Sequence, residues 1–578
     1  MLSLSRLILV LLLVGFSSSG SAENINFITE HFSGSGNCIQ CHDKLADREG
    51  EDVSIVRAWS GSMMANASKD PLWQAKVATE LKRNPQLAAA IDDKCSKCHA
   101  PMANYEQNGE VEIFGENGLL DVSHPLYDAT MDAVSCTYCH QIEDSAELGT
   151  DGGFSGNAEI SSDKLAYGQF NPDDTEMMVT ITGYTPVFSE HISSSEMCAV
   201  CHNLKTPYVD ASGNVVGDDF PEQMPYTEWE NSVFDDAGNN PMSCQDCHMP
   251  TTAALVSAMP IWLQEREGFA RHNFAGANTV VLTLLKENAD AFNVNPESID
   301  ENIALSRTLL QEAVSLEILS AEYDGNELVA HLRLTNNSGH KTPTSFPSRR
   351  MWLHFKVMDS VGNVLFESGA INADGSIDGS DSDIDSSMLE PHHDLITSTD
   401  QVQIYESVLG DTDGNVTQTL LRAAEYLKDN RLTPAGFDKN QVPYDVAVRG
   451  AALNDLNFNQ GKDEITYRVK NILADELSIE VSLNYQPLSH GFINDLFMED
   501  DLPEVSRLKS MYEPQTLKYE VMARAAQTVK AIDSSDSNGG CSVSDSRSVF
   551  DPTLPVLVLA GLASLGLRRR IAQVQGTS

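Results

Sequence analysis

Basic residues are what this sequence has least of. Lys and Arg number 38 against 84 Asp and Glu, a formal charge of −46. A field of that sign repels phosphate backbones and argues against nucleic-acid binding, while favouring solubility and basic partners. Cysteine is missing over a long stretch, with none between Cys247 and Cys541. No Ser/His/Asp signature or Gly-rich phosphate loop occurs, and the only repeats are the cysteine units described below. Neither apolar run at the two ends reaches the roughly 20 residues of a relaxed membrane span.

The two ends read as targeting segments. Arg6, the apolar run 7–16 and the small residues 17–22 form a signal peptide, with cleavage before Glu23. An uncleaved anchor is the alternative. At the other end, 531–550 is a Ser/Asp/Gly-rich linker holding Cys541 after Gly539-Gly540. Residues 551–570 then supply Asp551-Pro552, an apolar stretch through Leu567 and Arg568-Arg569-Arg570. This tail is similar to the tripartite C-terminal sorting signals that bacterial intramembrane proteases remove. A plain single-pass anchor is the alternative. Both readings leave the bulk of the chain outside the cytoplasm, in the periplasm or on the outer cell surface; an uncleaved tail would also attach it to the membrane, whereas the sorting reading has it cut near Cys541.

Ten of the eleven cysteines fall into five Cys-x-x-Cys-His units: Cys38-Cys41-His42, Cys95-Cys98-His99, Cys136-Cys139-His140, Cys198-Cys201-His202 and Cys244-Cys247-His248. This is the attachment pattern of c-type haem. Two thiols must reach two vinyl groups on one porphyrin edge, and the next residue must turn its imidazole under the iron. Zinc sites do not require His after every pair, and a thioredoxin-like motif would occur once. A disulfide closing three residues is a poor structural crosslink. The expected cofactors are therefore five c-type haems. All five units lie within residues 38–248, too little polypeptide for a conventional core, so the haems themselves are expected to be the core, close enough for electron tunnelling between irons.

Each iron has a second axial position. His31, His124, His191, His272 and His340 lie near the units or in conspicuous settings, such as Gly339-His340-Lys341-Thr342-Pro343-Thr344. Five candidates for five irons point to bis-histidine ligation. For the first haem Met63 or Met64 competes with His31; Met ligation would raise its potential, and the plain alternative is a core-filling Met pair. His331, His354, His392, His393 and His490 read as ordinary surface or core residues.

The stretch Val134-Ser135-Cys136-Thr137-Tyr138-Cys139-His140-Gln141-Ile142 resembles the surroundings of an internal haem in secreted multihaem c-type cytochromes. So do Trp59-Ser60, Ser62-Met63-Met64 and Asp70-Pro71, and Glu228-Trp229 ahead of Ser243-Cys244-Gln245-Asp246-Cys247-His248-Met249-Pro250. These proteins are grouped with the tetrahaem cytochrome c of ammonia-oxidising bacteria. The resemblance covers about residues 30–280 and implies a haem-packed, mostly helical and loop-rich domain. A fifth unit and a long C-terminal extension depart from the tetrahaem pattern.

The expected architecture is thus a haem-packed α/loop cytochrome domain over 23–298, followed by a β-sandwich-like domain over 299–530. Residues 299–313 have helical spacing; 314–318, 328–334, 352–357, 464–469 and 477–483 alternate as strands do. Residues 359–363 read as a hairpin turn and 420–428 as a helical insertion. The Asp-rich loop 372–385 could bind calcium, but it lacks EF-hand order and reads better as a solvated loop. The expected function is electron transfer with redox partner proteins in periplasmic or cell-surface respiration. A multihaem reductase of a small nitrogen or sulfur oxyanion is the alternative; no unit replaces its proximal His by Lys. A surface-binding role for the sandwich is compatible with either.

Overall fold

The computed structural model describes residues 25–531. The signal segment, Cys541 and the tail lie outside them. Among the described residues no helix is long and apolar enough to cross a membrane.

Every Cys-x-x-Cys-His unit coincides with a helical turn: Ile39–His42, the end of Ala88–His99, Cys136–Cys139, Ser195–His202 and Cys244–His248. The spacing explains this, because residues three and four apart share one helix face. The last helix is started by a capping box between Ser243 and Asp246. Ala100 and Met249, which follow the second and fifth units, leave helical geometry at φ −141° and −134°. Each precedes a proline, which disfavours the helical region for the residue before it.

Between and after these turns the chain forms three small two-stranded sheets. Strands β1 (Leu165–Gly168) and β2 (Thr185–Phe188) pair in parallel. β3 (Leu204–Val209) pairs antiparallel with β4 (Val215–Gln223), and β5 (Thr251–Ala254) with β6 (Arg266–Ala270).

Helix Pro296–Ala313, capped by Asn295, runs directly into the strand-rich half. There β7 (Val314–Tyr323), β8 (Glu327–Asn336), β14 (Lys462–Lys470) and β11 (Leu395–Ile396) form one sheet in the order β11-β14-β8-β7. The other sheet has the order β13-β12-β9-β15-β16, with β10 also on β9. Its strands are β9 (Arg350–Asp359), β10 (Val364–Ser368), β12 (Ile404–Gly410), β13 (Glu425–Asp429), β15 (Glu476–Gln486) and β16 (Glu520–Lys530). Alternate residues of both sheets enter one core, where Phe355 of β9 stacks on Tyr467 of β14 at 3.9 Å between ring centres.

The expected fold class is corrected by this distribution. Helix makes up 29% and strand 25%, spread over several sheets, so a mostly α haem-packed domain is not what forms. The physical reason is local: each Cys-x-x-Cys-His unit occupies a helical turn, and the chain between and after the units is free to pair as short strands. The expected helical insertion at 420–428 is corrected too. Leu420–Arg422 is a single 3-10 turn and Glu425–Asp429 is a strand on β12. Glu80 accepts from the Leu420 backbone N–H at 2.7 Å, and β12 claims the rest; tertiary pairing overrides the helical preference of Leu and Ala.

The two halves are joined by the helix Pro71–Arg83. Asp70 caps it, accepting from the N–H groups of Leu72 and Trp73 at 2.7 and 3.3 Å. At its other end Arg83 binds Asp495 and Glu499 at 2.8 and 3.0 Å.

Candidate cofactor cavity

One cavity of about 1940 Å³ is lined by all ten unit cysteines and all five unit histidines. Pockets for a single small ligand are about 300–1,000 Å³, so this volume suits several large groups. The ten thiols are unpaired. Neighbouring units touch through them: Cys38 is within hydrogen-bonding reach of Cys136, Cys98 of Cys201, and Cys198 of Cys244. The first unit thus meets the third, the second meets the fourth, and the fourth meets the fifth.

The imidazoles are oriented by the backbone. His42 Nδ1 lies 3.0 Å from Val256 O, His99 Nδ1 3.0 Å from Ala67 O, His140 Nδ1 2.6 Å from Tyr167 O and His248 Nδ1 2.8 Å from Ala275 O. A carbonyl only accepts, so each Nδ1 carries the proton and each Nε2 keeps its lone pair for a metal. Burial pushes His99 and His202 down to about 4, and it also lowers His42 and His140. These rings are therefore neutral at pH 7, the state a ligand needs. His202 differs from the other four: among the described residues no hydrogen bond orients its ring, and it lies near His248, His340 and Arg349.

Two further histidines line the cavity, and both match this pattern. His272 Nδ1 donates to Ala270 O at 2.9 Å and His340 Nδ1 to Lys341 O at 2.8 Å. The His272 ring faces that of His140 with centroids 6.4 Å apart and planes 21° apart. His340 faces His248 at 6.4 Å and 16°. That is too far for ring stacking. A metal–imidazole bond is about 2 Å and a ring centre lies about 1.1 Å beyond its nitrogen, so two imidazoles across one ion sit about 6.2 Å apart. The donor set and spacing fit a bis-histidine iron at the third and fifth units.

The other candidates are placed differently. His31 is half-buried, bonds Glu106 at 3.3 Å and does not line the cavity; Met63 and Met64 do. His124 accepts the Leu126 N–H on Nδ1 at 3.1 Å, and its Nε2 lies 3.3 Å from the Gln107 side-chain amide, so both ring nitrogens are engaged. His191 is buried and uses both nitrogens: Nε2–H donates to Ile142 O at 2.8 Å and Nδ1 accepts from Ser189 at 2.6 Å.

Sequence reasoning did not find the orienting carbonyls, which carry no side-chain signal. It also missed Trp73, whose ring stacks on His99 at 4.8 Å and 9°. In the loop 372–385, Asp374 accepts from Ser376, Asp378 from Asn372, and Asp383 pairs with Arg350 at 2.7 Å. Elsewhere His392, Asp455 and Asp463 converge. Asn430 and Gln403 accept backbone N–H groups with their oxygens, at 3.0 and 2.7 Å, and so turn their NH₂ groups to His392 Nδ1. The His392 proton is thereby fixed on Nε2, facing Asp455 at 3.1 Å, which makes it a satisfied core histidine and not a metal ligand.

No protein-family model matches the chain, and no curated protein does. Among solved structures, it is similar to a penta-heme cytochrome c552 from Thermochromatium tepidum, at 16% identity and a TM-score of 0.49. The match covers 88% of this chain and 100% of that one.

Proposed function

We propose that the chain binds five c-type haems covalently and transfers electrons through them. The observation that carries this reading is the convergence of all five units on one cavity, with two imidazole pairs at metal-spanning distance. The cysteine pairs would form the thioethers, and His42, His99, His140, His202 and His248 would be the proximal ligands. His272 and His340 would be sixth ligands, opposite His140 and His248. When bound, haem iron supplies a one-electron couple whose potential is set by axial ligands, hydrogen bonds and burial. The protein's own part is to hold each Nε2 by tethering its Nδ1, to keep the rings neutral by burial, and to bring the attachment turns into contact. The thiol contacts link units one and three, and units two, four and five. Export to the periplasm or outer surface, membrane attachment through the tail and exchange with redox partner proteins complete the reading. Its test is a coulometric reductive titration of the matured protein. Five electrons per chain, taken up and returned without any substrate, are expected; fewer than five would overturn it.

A second reading is a reductase of a small nitrogen or sulfur oxyanion. It is favoured because, among the described residues, only His272 and His340 join the five unit histidines in the cavity wall. An iron with one protein ligand keeps a position for substrate. Turnover of nitrite or sulfite with a high-spin ferric signal would favour this reading; wholly low-spin iron would remove it.

A further inference from the structure

Four buried charges meet next to His340. Lys341 Nζ donates to Asp429 at 2.6 Å, and Arg431 contacts Asp429 at 2.7 Å and Glu228 at 2.9 Å. None of these side chains is more than 6% exposed. They come from three parts of the fold: helix Pro225–Glu230, which lies between the fourth and fifth units in sequence, the turn after β8, and the end of β13. Burying two cations and two anions is a poor route to stability, since apolar residues of similar volume often do as well or better. What such an arrangement does give is position.

Lys341 is the pivot. Its N–H donates to Glu228 Oε2 at 3.2 Å, its ammonium to Asp429, and its carbonyl accepts from His340 Nδ1 at 2.8 Å. Its neighbours are fixed as well. Asn336 donates to His340 O at 2.8 Å, and Thr342 and Leu432 exchange two backbone hydrogen bonds of 2.9 Å. The Thr344 hydroxyl donates to the same oxygen of Glu228. The carbonyl that aims the His340 ring at His248 is therefore held from both sides, by one anion on the haem-unit side and another on the sheet side.

We propose that Glu228, Lys341, Asp429 and Arg431 form a positioning device that holds His340 as the sixth ligand of the iron bound through His248. This rests on the reading of His340 as a ligand. The test uses the full-length, haem-loaded protein, with spin state read by EPR and absorbance well below the melting temperature. Lys341→Met keeps the side-chain length and removes the charge. It should convert a fraction of one of the five irons to high spin, with haem mass unchanged, and added imidazole should return that iron to low spin. Glu228→Gln keeps an acceptor for the Lys341 N–H and should do the same to a smaller extent; it also serves if Lys341→Met does not fold. A purely structural network would lower the melting temperature and leave the spin state alone. His340→Ala separates the two claims. If it leaves the spin states of the parent unchanged, the ligand reading falls and the proposal with it. If it converts one iron while both network variants keep the parent spectrum, the proposal alone falls.

Discussion

Between residues 314 and 529 most buried apolar side chains join one cluster, which takes Tyr323, Leu332, Leu353, Phe355, Tyr467 and Leu483 from both sheets. Between residues 32 and 269 they break into separate small groups, one around Phe32 and Tyr138, others around Leu45, Trp73, Trp229 and Trp59. What separates these groups is the cavity that the ten cysteines line. One half of the chain makes its core from its own side chains, and the other leaves its centre open, to be filled by haem in the proposed reading. Folding of the second kind is linked to binding, because the bound group stabilises only the native state.

The largest effect should come from withholding the cofactor. Expressed without haem attachment, residues 32–269 should lose protection from proteolysis, and fragments from 314–531 should survive longest. Identical cleavage patterns with and without haem would erase the contrast between the halves. Next comes Phe355→Ala, which removes the ring stacked on Tyr467 at the centre of the sheet core. It should cost about 3–5 kcal/mol in denaturant unfolding, with the haem content of recovered protein unchanged.

A third test lies in the helix that joins the halves. Burial raises the Asp70 carboxyl to about 6, against an ordinary 3.8. The native state therefore holds a proton that the unfolded chain releases, and this contribution is present below pH 3.8 and lost as pH rises through 6. Asp70→Asn keeps an oxygen for the cap and avoids the buried charge. It should melt above the parent at pH 8, by about 1–3 kcal/mol, and the gap should close near pH 4. A gap that does not vary with pH would show that burial does not raise the Asp70 carboxyl above its unfolded value. The smallest effect belongs to Arg333→Ala on the sheet surface. Its partner Glu464 sits opposite on β14 at 2.6 Å, and both side chains are about one-third or more exposed. The change should cost less than about 1 kcal/mol and fade with salt.

The same contrast governs what could be read from the sequence. The strands at 314–318, 328–334 and 352–357 were legible because alternate residues face a core made of polypeptide, and β7, β8 and β9 cover them. The turn at 359–363 was legible because Asp359 and Asn363 close it around Gly362 at φ +89°. Around the units such periodicity is weak, since the inward faces meet a cavity, and β1 to β6 went unseen. The attachment residues are explicit in the sequence. The choice among further histidines is not, because it depends on which ring nitrogen the fold occupies. Ser189 and Ile142 engage both nitrogens of His191, while Ala270 leaves Nε2 of His272 free. Nothing in the sequence around either residue distinguishes these cases.

The central claim is that five haems complete the core of the cysteine-bearing half. Intact mass of the exported, matured protein tests it most directly. The mass of the processed polypeptide plus five haems, with none of the ten unit cysteines open to alkylation, is the predicted result. A mass with fewer haems and a pair of free thiols at any unit would contradict it.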